Sequence, residues 1–267
     1  MIGIFDSGVG GMTVARAIEQ ALPDYRLVYF GDLARTPYGS KSPDTISRYS
    51  CQNVDFLLSR GARLIVVACN SAASAAAARL ESSYDLPLFE VIGPAVKQAV
   101  SLSSRGRIGV IGTRATIRSG VYERMIRERR ADFQVFSQPC PLLVPLVEEG
   151  WLDKRETRMI LRRYLAPLKQ RQVDTLVLGC THYPLLKELI QHRIGPRVKV
   201  IDSSRALAAE LGDFLAANPD LAATLSPSSE GENLYYVSDV TEAAALTARR
   251  IFGRPIQLRP AADVGDI

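Results

Sequence analysis

Two cysteines occupy matched settings in this chain, and both could move protons. Cys69 closes the run Leu64-Ile65-Val66-Val67-Ala68-Cys69-Asn70-Ser71, and Cys180 closes Thr175-Leu176-Val177-Leu178-Gly179-Cys180-Thr181-His182. Each aliphatic run has the character of a buried parallel strand, and each cysteine is followed by polar residues and a helix-compatible stretch. Ligands of open α/β sheets bind at the carboxyl ends of strands, so each thiol is aimed at a cleft. A helix start beside a thiol favours thiolate, which predicts a pKa below the ordinary ~8.5 at both positions. One proton-accepting sulfur and one proton-donating sulfur are what a reaction needs when it works on both faces of a single carbon.

Other residues gather around the same strand ends. Phe5-Asp6-Ser7-Gly8-Val9-Gly10-Gly11 reads as a strand entering a glycine-rich turn and a helix start. It matches neither a Walker loop nor the dinucleotide G-x-G-x-x-G pattern. Asp6 can serve a bound ligand or simply cap a tight turn, and the segment alone leaves both open. Gly31-Asp32-Leu33-Ala34-Arg35-Thr36-Pro37-Tyr38-Gly39-Ser40 is longer than a plain strand–helix connection and rich in hydrogen-bonding groups, as ligand loops are. His182, one of two histidines, lies two residues beyond Cys180 and could protonate or polarise the site. His192 reads as a surface residue at a helix end. Cys51, inside a helix, and Cys140, between Pro139 and Pro141, read as inert small hydrophobes. Glu148 follows the apolar segment 141–147 and could reach the cleft.

The elements that must hold these groups alternate almost throughout. Strand patterns fall at 2–5, 27–30, 64–68, 88–91, 107–111, 133–136, 175–178, 199–201 and 234–237. Helical patterns fall at 11–22, 43–60, 72–80, onward from 94, 117–130, 154–170, 184–192, 204–217 and 240–252, with Ser226-Pro227-Ser228-Ser229-Glu230-Gly231 the most loop-like stretch. Such alternation predicts an α/β protein with parallel sheets covered by helices on both faces. The chain also carries a faint duplication. Ile2-Gly3-Ile4-Phe5 resembles Ile108-Gly109-Val110-Ile111, and this pair and the two cysteines share an offset of roughly 110 residues. Two copies of one α/β unit follow, each supplying a strand-end cysteine, with the second beginning near Gly93-Pro94.

Composition narrows the classes. The 267 residues are 47% hydrophobic and 23% charged, enough for a real core. The net charge of +5 comes largely from arginines alternating with acidic and apolar residues along two helical stretches, a solvated-face pattern. A specific nucleic-acid partner is therefore not expected. No apolar run reaches the length of a membrane span. The start reads at once as a strand and has no signal-like region, so a cytoplasmic protein is expected, with its four cysteines as free thiols. No cysteine or histidine spacing suggests a metal site.

Taken together, FDSGVGG at 5–11, GDLARTPYG at 31–39, ACNS at 68–71, VIGTRAT from 110, CPLLVPLVEEG at 140–150 and GCTHYPLL at 179–186 resemble the motifs of the glutamate racemases, within the aspartate/glutamate racemase family. The resemblance runs from Ile4 to about Ser203. It implies cofactor-independent interconversion of L- and D-glutamate, supplying D-glutamate for peptidoglycan synthesis and hence for cell-wall biogenesis and cell shape. It also implies two pseudo-symmetric lobes with the site in the cleft between them, and a homodimer. The C-terminal segment would return to the first lobe, giving 1–93 plus 208–267 for that lobe and 94–207 for the second.

Carried over by motif, Cys69 would act on the proton of the D-enantiomer and Cys180 on that of the L-enantiomer. Asp6 resembles the carboxylate assisting the first thiol, and His182 with Glu148 the assistants of the second. Substrate contacts are expected from Asp6, Ser7, Pro37, Tyr38, Gly39, Ser40, Asn70, Ser71, Thr113, Thr116, Thr181 and His182. Ser71 stands where the family commonly has Thr. The N-terminus begins directly at the first strand, so the extension that serves activation by a nucleotide precursor in some members is not expected.

The physical chemistry runs parallel to the resemblance. Racemisation takes a proton from one face of Cα and returns one to the other. No lysine is placed for a pyridoxal Schiff base, and no metal cluster is evident, so no cofactor is expected. Thiolate bases, a water-free cleft and hydrogen bonds to the substrate carboxylate must then supply the acidity. Three rivals remain at this stage: an aspartate racemase with the same two-thiol logic, a two-lobed amino-acid binding module, and a cysteine-nucleophile hydrolase, which leaves the second thiol without a purpose.

Overall fold

The computed structural model describes residues 1–261. Its first half runs β1 (Ile2–Asp6), α1 (Met12–Ala21), β2 (Leu27–Gly31), α2 (Pro43–Ser59), β3 (Leu64–Val67), α3 (Asn70–Ser83), β4 (Leu88–Glu90) and α4 (Ile92–Leu102). Next come β5 (Arg107–Gly112), α5 (Arg114–Arg118), α6 (Val121–Arg129), β6 (Gln134–Pro139), α7 (Leu143–Glu148), α8 (Arg155–Gln170), β7 (Thr175–Gly179), α9 (Lys187–Ile194) and β8 (Lys199–Asp202). The last described elements are α10 (Ser203–Ala217), α11 (Pro219–Ala223), β9 (Leu234–Val237), α12 (Glu242–Phe252) and β10 (Leu258–Pro260).

The strands form two sheets, ordered β10-β9-β2-β1-β3-β4 and β6-β5-β7-β8, and every strand pairing within them is parallel. The α/β class read from the alternation is the class observed. Parallel strands buried on both faces explain the continuous aliphatic runs: all of β1, β2, β3 and β7 is buried.

Register fixes the site. Phe5 lies beside Phe30 and Val67, and in the other sheet Gly112 lies beside Pro139 and Gly179. The carboxyl ends of neighbouring strands are thus level, and the chain leaves each sheet at the same rim. Side-chain alternation divides the second sheet. Ile108, Val110 and Val177 join the apolar core of the first sheet, whereas Ile111, Leu176 and Leu178 build a second core with Leu161, Leu165 and Ile190. Helix α10 packs on both α1 and α4. No helix among the described residues is long and apolar enough to cross a membrane.

Several elements differ from the sequence reading. The helix expected over 117–130 is two helices, because Gly120 adopts φ +65° between α5 and α6, a conformation glycine takes at no steric cost. The helix expected over 184–192 opens instead as a 3-10 turn, Tyr183–Leu186, before α9. Strand β6 begins one residue later and runs three residues further than 133–136. Helix α7 contains Pro145 within six apolar-rich residues, and β10 has three residues ending in Pro260, so neither carries a usable period.

Candidate active site

Cys69 follows β3 through Ala68 and stands at the N-cap position of α3 in an extended conformation. Cys180 follows β7 directly and precedes the Tyr183–Leu186 turn. Cys69 and Cys180 both line one narrow cavity of about 30 Å3, together with residues including Ser7, Pro37, Tyr38, Gly39, Asn70, Ser71, Thr113, Thr181 and His182. Each cysteine is 5% exposed, so both residues are buried while bordering the same space. A cavity of this size holds only a few waters. A larger cavity of about 690 Å3 lies at the β9–β10 edge, bordered by Glu19, Tyr25, Tyr235 and Arg254. It includes neither thiol, so size does not locate the chemistry.

Each thiol has its own polar partner. The Cys69 thiol donates to Ser7 Oγ at 3.5 Å. Cys180 Sγ lies 4.0 Å from His182 Nδ1, and on the far side of the ring Nε2 lies 3.2 Å from Glu148 Oε1, close enough for an ion pair but off the line of a regular hydrogen bond. Glycine is required beneath that ring. A Cβ on Gly10 would come 2.4 Å from His182 Nδ1, so the backbone of the first sheet's turn is the floor on which the second sheet's histidine rests.

Asp6 sits below the cavity, fully buried. Its Oδ2 accepts from the Gly8 amide at 3.0 Å and its Oδ1 from the Thr181 hydroxyl at 3.2 Å. Thr13 Oγ1 donates to the Thr181 carbonyl at 3.0 Å, a second tie between the start of α1 and the end of β7. Ser71, Thr113 and Thr116 join their hydroxyls at separations of 2.9, 3.2 and 3.5 Å, which connects α3 to the cap of α5.

Some expected contacts are placed differently. Ser40 is exposed and bonds back to the Pro37 carbonyl at 3.3 Å, so it does not line the cavity. Thr116 reaches the cavity only through its hydroxyl neighbours. Asp6 likewise has both oxygens taken up by the protein, so it stands behind the lining rather than in it. Glu148 is brought to the site, though behind His182.

A comparison of the chain with known families matches residues 10–211 to the model described as Asp/Glu/Hydantoin racemase. The chain belongs to that family. It is 45% identical over 252 residues to the glutamate racemase of Geobacter metallireducens, covering 94% of this chain and 92% of the relative. Among solved structures, this racemase-family fold is similar to the glutamate racemase isoform RacE1 of Bacillus anthracis, with a TM-score of 0.91, 34% identity, and coverage of 100% and 98% of the two chains. It is also similar to the glutamate racemase of Francisella tularensis solved in complex with D-glutamate, with a TM-score of 0.89, 32% identity, and coverage of 98% and 97%.

Electrostatics in this family member act strongly on the first thiol and on the groups beside both. Burial, followed by the nearby Asp6 carboxylate, pushes the Cys69 thiol up to about 12, with Ser7 opposing. The expected depression at Cys69 is therefore wrong. Desolvation and a like-sign neighbour outweigh the helix start. Burial also raises Asp6, against the pull of His182 and the amides of Gly11 and Gly8. At His182 burial favours the neutral ring, but the attraction of Cys180 and Glu148 prevails and raises it to about 10.

Several functional positions lay outside the sequence reading. Thr36 and Val144 line the cavity. Tyr29 donates to the Gly8 carbonyl at 2.5 Å and holds the glycine turn from below. Asp32 is fully buried and accepts from Tyr38, from Arg35 at 2.7 Å and from Ser238 at 3.3 Å. That network fixes the loop carrying Pro37 and Gly39. The length and polarity of the loop were the only sequence signals available for it.

Proposed function

We propose that the chain is a glutamate racemase that interconverts L- and D-glutamate without a cofactor, using Cys69 and Cys180 as its two acid/base groups. The observation carrying this reading is that Cys69 and Cys180 line one cavity, each arriving from the carboxyl end of a different sheet. Likeness to glutamate racemases over nearly the whole chain supports glutamate as the substrate.

In the L-to-D direction the Cys180 thiolate removes the Cα proton, and the Cys69 thiol delivers its own proton to the opposite face. The reverse direction exchanges the roles. His182 stabilises the Cys180 thiolate, and Glu148 holds the far side of the imidazole. Asp6 favours the protonated state at Cys69, which suits a donor, and assists its return to the thiol after turnover. Among the described residues the cavity lining contains no Lys or Arg, so neutral donors must carry the substrate carboxylates: the amide of Asn70, the hydroxyls of Ser7, Ser71, Thr113 and Thr181, and the amides opening α3. In a water-poor cavity such donors weigh more against the charge developing at the carboxylate than they would in solvent.

The wider reading follows from the same assignment. The protein would be a cytoplasmic homodimer supplying D-glutamate for peptidoglycan, with lobes at 1–93 plus 208–267 and at 94–207. Proton exchange tests the chemistry. Glutamate incubated in D2O should gain deuterium at Cα from either enantiomer, with the opposite enantiomer appearing. Tight binding without exchange would leave an amino-acid binding module instead, and faster turnover of aspartate would move the substrate.

A further inference from the structure

Asn70 presents an unusual hydrogen-bond account. Its side-chain carbonyl accepts from Tyr122 Oη at 2.7 Å, whereas its Nδ2 has no partner among the described residues although both residues are 2% exposed. A buried amide donor left unpaired is costly, and native proteins keep such groups where a ligand or water will meet them. Asn70 lines the cavity between the thiols, so that partner belongs in the cavity.

Tyr122 decides which end of the amide faces the ligand. Its hydroxyl proton needs an acceptor, and Asn70 Oδ1 is the one present. Turning the amide over would set an N–H against the tyrosine oxygen and leave the hydroxyl proton without its acceptor. Burial raises the phenol far above its ordinary range, with Glu90 and Cys180 adding to the shift, so the group stays a donor. The ring is held as well: a Cβ on Gly179 would sit 3.3 Å from Tyr122 Cε2, which places the ring against the strand that delivers Cys180.

We infer that Tyr122 is a positioning residue, locking the Asn70 amide so that its NH2 points into the cavity to bind a carboxylate oxygen of the substrate. The lock joins the two halves of the site. Asn70 follows β3 of the first sheet, and Tyr122 lies on α6, between two strands of the second. The donor is therefore oriented only while the halves are together, which couples carboxylate binding to the closed arrangement. A ligand group offering a donor instead of an acceptor at this point would be rejected.

This inference rests on the proposed glutamate chemistry, so the test begins with the parent. A parent inactive on glutamate overturns that reading and this one with it. With an active parent, Tyr122→Phe keeps the ring and removes the lock. KM for both enantiomers should rise roughly tenfold, with kcat changed less than twofold. Asn70→Ala should show a similar rise, and adding Tyr122→Phe to it should cost nothing more, because the tyrosine acts only through the amide. Parent-like KM in Tyr122→Phe, or single effects that add in the double variant, would overturn the lock. Asn70→Asp supplies a check that leaves Tyr122 intact. It accepts the same hydroxyl but turns an oxygen toward the carboxylate, so its KM should exceed that of Asn70→Ala, and a parent-like value would overturn the inference equally.

Discussion

The α-carbon of Gly10 lies against the imidazole of His182, so close that a Cβ there would fall 2.5 Å from Cε1 and 2.7 Å from the Thr181 hydroxyl. A residue of the first sheet's turn thereby sets the position of a histidine that belongs to the second. His182 is 4% exposed, so its ring is not a freely moving surface tip that could yield cheaply. Gly10→Ala should displace the ring from Cys180. Deuterium exchange starting from L-glutamate should fall by about 10²-fold, the scale of a mispositioned acid/base assistant. Exchange from D-glutamate, begun at Cys69, should fall less. Equal losses from both sides would point to general misfolding of the turn.

The two thiols should separate cleanly by substitution. Cys69→Ala and Cys180→Ala each remove one face's acid/base group, and racemisation should drop by about 10³-fold or more in either. Serine at either position keeps a hydroxyl of far weaker acidity, so slow and one-sided exchange is expected. Stopped-time NMR on each enantiomer in D2O measures both. Near-parent racemisation by either alanine variant would remove the two-base scheme.

Asp6 gives the first thiol its charge environment. Burial is the larger cause of the raised Cys69 pKa of about 12, with the Asp6 carboxylate second. Asp6→Asn removes that negative charge and leaves burial in place, so the Cys69 pKa should fall while staying above the ordinary thiol value. The pH dependence of alkylation at Cys69, followed by mass spectrometry, reads the change. An upward movement would contradict the electrostatic assignment.

What could be read from the sequence follows physical lines. Cys69 and Cys180 were visible because a buried parallel strand leaves an aliphatic run and a strand end leaves an abrupt polar change, both local signals. His182 and the glycine turn came with them. The break at Gly120 was hidden because one glycine inside an amphipathic pattern is compatible with a continuous helix. Tyr29, Asp32 and Tyr122 act through partners distant in the chain or across loops, and nothing in their neighbours distinguishes them from core residues. The sign of the Cys69 shift was lost for a related reason: the helix start is local, whereas desolvation and the Asp6 field exist only once the sheets are assembled.

His182 also ties stability to pH, and the sign is definite. Its pKa rises from 6.5 to about 10 on folding, since Cys180 and Glu148 outweigh the burial that opposes protonation. The folded state therefore binds the proton more tightly than the unfolded chain. The resulting stabilisation is fully present below about pH 6.5, declines as pH rises, and is gone once pH passes about 10. Urea midpoints measured from pH 6 to pH 10.5 should fall through that window. His182→Gln lacks the titration and should give a flatter profile, less stable than the parent at the acidic end and converging with it at the alkaline end. Glu148→Gln should shift the decline to lower pH, because it removes one of the groups that hold the proton. A parent whose stability stayed level through the same window would show that the imidazole is buried neutral, and the Cys180–His182–Glu148 arrangement would then lose its charge.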